Sequence, residues 1–496
     1  MDVGRLLRTV RYLKSIQVAA RVWNKMPRLQ PKQDLLQTRG VRQKTAFPCY
    51  YTCWDGRTSF TFLHETHDVR TPTDWNNPDW QKLWLYNLHY FDCLRGAVNI
   101  SEDAVRGLLE KWIAENPVGC GNGWEPYPIS LRVVNWIKWL MSEGGVSQSV
   151  DFRSRLERSL CVQIRRLRVR LEYHLLANHL LANAKALVFA GTFFCGDEAE
   201  EWLRTGMDLY RKQLPEQILS DGIHFERSAM YHAIIMEDLL DCFNLTGNTF
   251  FTSWIEQMRT GLVLLTGPDG RLAKFNDAAD GIALAPVELH AYADRLGILG
   301  EGTSSCASVA AGHDSGIVRM EAGAYVALVK TGEIGPSYQP GHAHADTYSF
   351  ELWKNGKKII GDTGCSTYIP GSVRSYERST KAHNTVVIDG QNSSEVWASH
   401  RVGRRFDKRR HRRDFKLTED GLCGIDNISI KGKHDVEIRF HLPPGVLKED
   451  VIIECPGTLF WETCDFAEGW NLREPGLCAV YSCKVAAPTK IEWSIR

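Results

Sequence analysis

The chain has 496 residues, of which 60 are Lys or Arg and 59 are Asp or Glu, so its formal net charge is +1. This balance argues against a nucleic-acid-binding protein that works through bulk positive potential. A 43% hydrophobic content and a length that suits roughly two to four domains are typical of an ordinary globular protein. There is no run of about 18 apolar residues, so no transmembrane span is predicted.

The first predicted element is an amphipathic helix within a separate N-terminal segment, residues 1–45. Basic residues lie at its start, but no apolar run of signal-peptide length is followed by a small-residue cleavage site. The 14 cysteines are scattered without a CxxC pair, which favours reduced and mostly buried thiols. Both observations predict a cytoplasmic protein.

Helical periodicity dominates residues 46–315, where apolar residues recur at three- and four-residue spacings. Gly191 is the expected C-cap of one of these stretches. Several helices of similar length joined by short loops predict an all-α array, either a bundle or a toroid of helical hairpins. The amphipathic stretches cover residues 130–141, 167–191, 198–214, 228–245 and 251–265.

Residues 316–496 change to two-residue alternation, with turn residues between the runs. The pair Asn355-Gly356 between two such runs is the strongest hairpin signal in the chain. This half is therefore predicted to be antiparallel β-structure, either a sandwich or stacked sheets. A helical half followed by a β half predicts a cleft between them, which is a common location for a ligand site.

A dense basic run, residues 401–416, lies within the β half. Its default interpretation is a solvated edge or loop. Because the whole chain is nearly neutral, a local anion-binding surface is the competing interpretation, and polyanionic sugars or nucleic acid would both fit it. No recognised nucleic-acid-binding fold accompanies the run, so a nucleic-acid partner is not predicted.

Residues 340–390 hold the densest group of chemically capable side chains. His342 and His344 are two residues apart, and Asp362 follows in the strand paired through the Asn-Gly turn. His383 lies a further 21 residues along. Two histidines and an aspartate with an open coordination position suit a divalent metal, zinc by ligand preference. The competing interpretation is a set of buried polar residues that hydrogen-bond to one another across the sheet.

Two polar positions interrupt the apolar faces of the predicted helices. Asn178 and His179 lie inside an otherwise apolar stretch, and Tyr231 lies about one turn into a helix that begins near Glu226. Each of these residues alone is typical of a satisfied core side chain. They indicate a site only in combination.

Short motifs in a fixed order connect these positions. From residue 84 to residue 405 they are WLYNLHYFD, NGWEPYPISLRVVNW, ANH, DGIHFERSAMYH, GHAHADTYSFEL, GDTG, AHNTVVIDG and SEVWASHRVGRR. With these motifs the chain resembles the heparinase II/III-like polysaccharide lyases. The resemblance implies an N-terminal incomplete (α/α) toroid, residues 46–315, followed by a C-terminal antiparallel β-sandwich domain, residues 316–496.

The resemblance also implies β-elimination of an acidic polysaccharide that contains uronic acid, such as heparan sulfate, chondroitin sulfate or hyaluronan. A base removes the proton on C5, next to the carboxylate, and the bond from C4 to the leaving oxygen breaks. The site must neutralise that carboxylate, supply the base and protonate the leaving oxygen. Asn178 and His179 match the family's neutralising pair. His342 matches a neutralising or proton-accepting position, and Tyr231 matches the acid/base tyrosine.

The family's remaining roles fall on two further groups of residues. His344, Asp362 and His383 match the metal ligands of the relatives, and the ion, zinc or another divalent metal such as manganese, is implied to be structural. Tyr368 resembles a second site tyrosine, with Tyr376 as the alternative. The implied substrate-binding residues come from an aromatic motif and from the start of the basic run. They are Trp124, Glu125, Tyr127, Arg401 and Arg405. For the aromatic motif, packing in the core is the alternative role.

Three other functions compete with this one. The short β half and the lack of an export signal favour an intracellular lyase that acts on oligosaccharides or accompanies surface-polysaccharide synthesis. A catalytically silent acidic-glycan-binding protein would not need Asn178, Tyr231 and His342, which are all present. A metal-dependent hydrolase would use the His/Asp site to activate water, and its product would contain no unsaturated sugar.

Overall fold

The computed structural model describes residues 3–496 apart from 28, 50–52, 97–99, 300–309 and 312–313. In the described part of the chain, helices dominate up to residue 295, with one small hairpin, β1 Ser59–Phe62 and β2 Glu65–Asp68. The helices are α1 Val3–Val10, α2 Ser15–Trp23, α3 Lys82–Tyr90, α4 Glu102–Glu115, α5 Pro126–Leu140, α6 Glu143–Val146, α7 Val150–Arg168, α8 Ala177–Phe193, α9 Asp197–Gln217, α10 Ala229–Thr246, α11 Thr252–Leu264 and α12 Pro286–Arg295.

Helix α8 lies at the centre of the helical half, because 16 of its 17 residues are buried. It packs against α5, α9 and α10, and the surrounding core is rich in tryptophan, with the rings of Trp112 and Trp136 perpendicular at 5.3 Å. Most of the chain's abundant aromatic side chains therefore fill this core. The only side chain of α8 that is not fully buried is His179, which lies in its first turn.

The predicted stretch 167–191 differs from the structure in two ways. The chain leaves helix α7 after Arg168 and enters α8 at Ala177. Positive φ angles at Leu176 and Ala177, 64° and 50°, interrupt the right-handed helical path at the start of α8. The C-cap prediction for Gly191 is wrong, since α8 continues past it. A Cβ at Gly191 would lie 2.7 Å from the carbonyl oxygen of Ala199, so glycine is required there by the close approach of α9.

The second half of the chain is an antiparallel β-sandwich with one short helix, α13 Ser372–Glu377. One sheet has the order β3-β4-β5-β6-β7, and the other has the order β11-β12-β15-β13, with β14 paired to β15 and β8 paired to β12. The strands are β3 Ala310–Ala311, β4 Ile317–Ala322, β5 Tyr325–Lys330, β6 Phe350–Lys354, β7 Lys357–Ile360, β8 Val386–Ile388, β9 Val396–Trp397, β10 Arg401–Val402, β11 His411–Thr418, β12 Gly421–Leu442, β13 Ile453–Glu454, β14 Thr458–Gly469 and β15 Leu472–Ile495.

Apolar side chains from both sheets form one core. Phe350 of the first sheet stacks on Trp493 of the second at 5.4 Å. The predicted hairpin at Asn355-Gly356 joins β6 to β7, with positive φ at both turn residues, as a type I′ turn requires. The predicted fold class, a helical toroid followed by an antiparallel β-sandwich, is confirmed, whereas the domain limits given above stay a prediction.

The N-terminal segment forms two short helices, α1 and α2, where the sequence predicted an amphipathic helix. Gln17 of α2 is fully buried, and its amide lies 3.4 Å from the carbonyl oxygens of Leu175 in the helical half and Tyr338 in the β half. The segment therefore lies across the junction of the two halves. No helix in the described part of the chain combines the length and apolarity needed to cross a bilayer.

Candidate active site

A cavity of about 670 Å³ lies where the helical half, the β half and the N-terminal helices meet. Its wall takes side chains from α1 and α2, from the toroid helices, and from the loops around residues 338–342 and 400–402. Seven residues that the sequence predicted for the site line it: Tyr127, Asn178, His179, Tyr231, His342, Tyr368 and Arg401.

Two tyrosines and a histidine form a chain of proton donors and acceptors in this cavity. Ser228 caps helix α10 and places Tyr231 in its first turn. The Tyr231 hydroxyl lies 3.1 Å from the Tyr368 hydroxyl, which lies 3.3 Å from Nδ1 of His342. The rings of Tyr231 and His342 are 4.0 Å apart. Residues from the two halves of the chain therefore meet within hydrogen-bonding distance.

Burial sets the protonation state of these phenols. It raises the pKa of Tyr231 and of Tyr368 well above 10, so both hydroxyls carry their protons at neutral pH. Tyr376, the alternative to Tyr368, lies near Cys464 and Cys478 and outside the cavity wall. The structure thus brings Tyr368 to the site and leaves Tyr376 away from it.

Asp277 connects His342 to the predicted metal ligands. One of its oxygens accepts a hydrogen bond from Nδ1 of His342 at 2.9 Å, and the other lies 2.8 Å from Nε2 of His344. The guanidinium of Arg374 donates to both oxygens, at 2.8 Å for Nη2. Burial alone would raise the pKa of Asp277, but Arg374 and the two histidines hold it well below its usual value. Asp277 is therefore a buried anion that fixes both imidazole rings.

Asn178 and His179 lie at the N-terminus of α8, beside two carboxylates. The Asn178 amide donates to Glu226 at 2.9 Å, and Nδ1 of His179 lies 3.1 Å from Glu172. Burial alone lowers the pKa of His179, but the charge and hydrogen bond of Glu172 outweigh burial, so the pKa lies above its usual value. The ring of His179 also packs against Tyr127 at 4.6 Å. This end of the cavity thus offers an amide, a cationic imidazole and the positive end of a helix dipole.

The predicted metal ligands lie together behind the cavity. Asp362 is 2.8 Å from Nδ1 of His383, and the rings of His383 and His344 are 5.3 Å apart. Nδ1 of His344 and Nε2 of His383 are buried nitrogens without a hydrogen-bond partner. Such orphaned atoms are costly unless something binds them, and imidazole nitrogens with a carboxylate are ligands that zinc prefers. The three residues therefore offer the donor types that suit a divalent metal.

A second set of possible ligands lies in the cavity itself. One ligand atom of each of Asp277, His342 and His400 lies within 4.8 Å of the other two. His400 packs on Tyr368 at 4.8 Å, and burial lowers its pKa to about 3, with His342 as a further cause, so its ring is neutral. Among the described residues this is the group of three whose ligand atoms converge this closely, and the predicted set of His344, Asp362 and His383 does not converge in the same way.

Three predicted substrate-binding residues lie outside the cavity wall. Trp124 is buried, with its indole nitrogen donating to the carbonyl of Asn116 at 3.1 Å, which fits the packing alternative. Glu125 accepts hydrogen bonds from Lys82 and Tyr86 at the surface. Arg405 donates to the carbonyl of Ser337 at 2.8 Å and lies over the ring of Tyr12. Of the aromatic motif, only Tyr127 contacts the cavity.

Sequence comparison identifies the family of this chain. The profile described as "Heparinase II/III N-terminus" matches residues 110–292, and the profile "Heparinase II/III-like, C-terminal" matches residues 306–410. Together the two profiles cover more than half of the chain. The chain belongs to the heparinase II/III-like family. This confirms the family that the ordered motifs indicated.

Curated relatives of this heparinase II/III-like chain are described as "Heparin-sulfate lyase". The protein from Bacteroides stercoris is 23% identical over 355 residues, covering 62% of this chain and 53% of that protein. The protein from Bacteroides thetaiotaomicron is 24% identical over 332 residues, covering 55% of this chain and 47% of that protein. The chain spans about half the length of the curated relatives it matches.

Solved structures share the fold of this heparinase II/III-like chain. "Crystal Structure of Heparinase III" matches with a TM-score of 0.66 and 17% identity, covering 97% of this chain and 88% of that one. The chondroitin AC lyase of Streptomyces coelicolor A3 matches with a TM-score of 0.51 and 10% identity, covering 98% of this chain and 79% of that one. A helical toroid joined to a β-sandwich is thus common to these chains.

Several residues of this heparinase II/III-like site went unnoticed in the sequence. Glu226 and His400 stand inside motifs that the sequence analysis quoted, but no role was attached to them. Asp277 and Arg374 carry no pattern signal, because their meaning depends on a contact between residues 97 positions apart.

Proposed function

We propose that this heparinase II/III-like chain is a polysaccharide lyase that cleaves uronic-acid-containing glycans by β-elimination and leaves 4,5-unsaturated uronate ends. The observation that carries the proposal is the donor-acceptor chain of Tyr231, Tyr368 and His342 in the same cavity as Asn178 and His179. The description of the curated relatives as heparin-sulfate lyases supports it, and makes glycosaminoglycans the substrate class to test first.

The first task in this reaction is to stabilise the carboxylate beside the carbon that loses its proton. Negative charge grows on that carboxylate in the transition state, so preorganised donors act where they are most effective. In our proposal the Asn178 amide and the cationic His179 imidazole hold the carboxylate at the N-terminus of α8. Arg21 and Arg401, which also line the cavity, add positive charge for an acidic chain.

The second task is to move one proton off C5 and one onto the leaving oxygen. Because burial keeps the phenol of Tyr231 protonated, this residue is the resting proton donor for the leaving oxygen. Because Nδ1 of His342 donates to Asp277, Nε2 is the nitrogen of this ring that can accept a proton. The uronate epimer decides whether His342 or Tyr231 faces the C5 proton. Asp277 holds the ring of His342 through Nδ1, which fixes the orientation of the imidazole.

The decisive experiment measures unsaturated uronate. Purified protein is incubated with heparan sulfate, chondroitin sulfate and hyaluronan while ultraviolet absorbance of the products is followed. A rise on at least one glycan is expected. Binding without any rise would point to a silent glycan-binding protein. Shortened chains without unsaturated ends would point to a hydrolase. Either outcome would contradict the proposal.

We propose further that His344, Asp362 and His383 hold a structural divalent ion, with zinc as the first candidate. When bound, the ion would neutralise the cluster and join the loops that carry His344 and His383 beside the cavity. His383→Ala is expected to reduce bound metal from about one ion per chain to none. Its thermal midpoint should fall below that of the metal-loaded wild type, as the midpoint of chelator-treated wild type should. Elemental analysis and calorimetry measure the two effects.

The matched control is His434→Ala, because His434 is a histidine on the outer surface that pairs with Asp389. It should keep both the metal and the midpoint. Metal that survives His383→Ala but is lost in His400→Ala would assign the ion to Asp277, His342 and His400 instead.

The raised pKa of His179 predicts a pH dependence. The His179 imidazolium that neutralises the substrate carboxylate persists above pH 6.5, the ordinary pKa of histidine. It loses its proton as the pH rises through the raised pKa of His179. We therefore expect kcat/KM to fall on the alkaline side. Glu172→Gln removes the charge that raises this pKa, so the fall should move to lower pH. Rates between about pH 5 and pH 9 test this.

The matched control for this pH profile is Glu449→Gln, which changes an exposed carboxylate outside the cavity and should leave the alkaline limb in place. An identical alkaline limb in wild type and Glu172→Gln would remove His179 from the assigned role.

A further inference from the structure

The N-terminal helices are amphipathic, but their polar sides face the protein. In α1, Nη2 of Arg8 donates to Glu395 at 2.7 Å, with Arg5 on the same carboxylate at 3.3 Å, and the indole nitrogen of Trp397 donates to the Thr9 hydroxyl at 3.1 Å. These contacts fix one face of α1 to the β half by polar interactions. The opposite face is therefore turned outward.

Helix α2 has the same orientation. Gln17 and Ala20 are its buried residues, and the Gln17 amide bonds to backbone carbonyls of both halves. A polar side chain thus anchors α2, where an amphipathic surface helix normally buries its apolar stripe.

The outward faces carry large apolar side chains. Val3 and Leu7 lie one helical turn apart along α1, and they are 67% and 61% exposed. Such a concentration of exposed apolar residues within one short segment marks an interaction surface. The outward apolar residues of the two helices are Val3, Leu7, Ile16, Val18, Val22 and Trp23.

The charge around these faces is predominantly positive. Residues 3–33 contain eight basic residues and no acidic residue. The start of the basic run lies beside them, since the guanidinium of Arg405 lies 4.7 Å over the ring of Tyr12 and the charge of Arg401 acts on Arg21. The carboxylates that the structure places against this region are Glu216, Glu333 and Glu395. Basic side chains therefore outnumber acidic ones severalfold here.

We propose that the outward face of α1 and α2 docks on an anionic lipid surface. Aliphatic side chains and a tryptophan suit the boundary between headgroups and acyl chains, and flanking Arg and Lys side chains attract anionic headgroups. Each basic side chain near such a surface strengthens binding by about fivefold. A second copy of the chain fits less well, because a two-fold contact would bring two basic clusters together. The proposal rests on this surface and is independent of the lyase reaction.

Vesicle sedimentation with the full chain tests the proposal. Wild type is expected to sediment with vesicles of phosphatidylcholine and phosphatidylglycerol, and far more weakly with phosphatidylcholine alone. Leu7→Glu combined with Val22→Glu should weaken binding by at least about tenfold. Val150→Glu combined with Val287→Glu is the matched control, because these valines are 82% and 73% exposed on helices elsewhere. It should bind like wild type, and equal thermal midpoints show that all variants are folded.

Three results would overturn the proposal. Folded wild type that fails to sediment with the anionic vesicles is the first. Unchanged sedimentation of the Leu7→Glu, Val22→Glu variant is the second. The third is wild type that does not bind vesicles but forms a concentration-dependent dimer or binds heparan sulfate, when the variant has lost that dimer or that binding. The occupant of the surface would then be a second copy of the chain or a glycan chain.

Discussion

Tyr231→Phe is expected to lower kcat on the cleaved glycan by about 10²–10⁴-fold, the range of a lost acid-base group. The substitution removes the hydroxyl that lies 3.1 Å from Tyr368 and leaves the ring that packs on His342 at 4.0 Å. Substrate binding and the unfolding free energy should therefore change little. Steady-state absorbance assays give kcat and KM separately, so a loss of chemistry can be distinguished from a loss of affinity.

Tyr376→Phe is the matched control for this experiment. It removes the same hydroxyl from the tyrosine that competed with Tyr368 in the sequence, but outside the cavity wall. Its kcat should equal that of wild type. Turnover retained by Tyr231→Phe, or lost equally by Tyr376→Phe, would contradict the assignment of proton donation to Tyr231.

Arg374→Met is expected to lower the free energy of unfolding by about 3–5 kcal/mol, which is typical when one partner of a buried ion pair is removed. Arg374 is 1% exposed, and it donates to both oxygens of Asp277, which is fully buried. Without the guanidinium, the Asp277 carboxylate keeps the two histidines and the Cys365 thiol as partners, and loses its close full positive charge. Denaturant unfolding followed by fluorescence and circular dichroism measures the loss.

Arg409→Met provides the control for this loss. Arg409 also pairs with an aspartate, Asp407, but its side chain is 91% exposed, so its loss should change the free energy of unfolding far less. Adding Asp277→Asn to Arg374→Met should recover part of the stability, because the buried charge is then gone. Equal destabilisation by Arg374→Met and Arg409→Met would show that the buried pair does not stabilise the site.

Features of the fold that depend on local sequence were predictable. Periodicity located α9, α10 and α11 to within a few residues, because each helix buries one continuous face. Asn355-Gly356 identified the β6-β7 hairpin, because its turn needs two residues that tolerate positive φ. The division of stretch 167–191 was not predictable in this way, since Leu176 and Ala177 adopt positive φ without being glycine.

Features that depend on tertiary contact were not predictable from the pattern. Nothing near Asp277 in the sequence shows that Arg374 will lie against it. Gly191 has the sequence context of a helix C-cap, but in the structure it is the position where α9 packs closely against α8. Periodicity in α1 and α2 revealed an apolar face, but it did not reveal on which side the rest of the protein would lie. The site residues were found because ordered motifs resembled a family, and their roles remain to be tested by the variants above.

The cavity wall has a consequence for how this chemistry is assembled. Tyr231 comes from the toroid, whereas Tyr368 and His342 come from the β half. If Tyr231 donates the proton and His342 accepts it, as proposed above, neither half alone contains both groups. The proposed activity would then require the two halves to be docked. A change that loosens the junction between the halves is therefore expected to lower turnover, and two separately produced halves would have to reassociate before any glycan is cleaved.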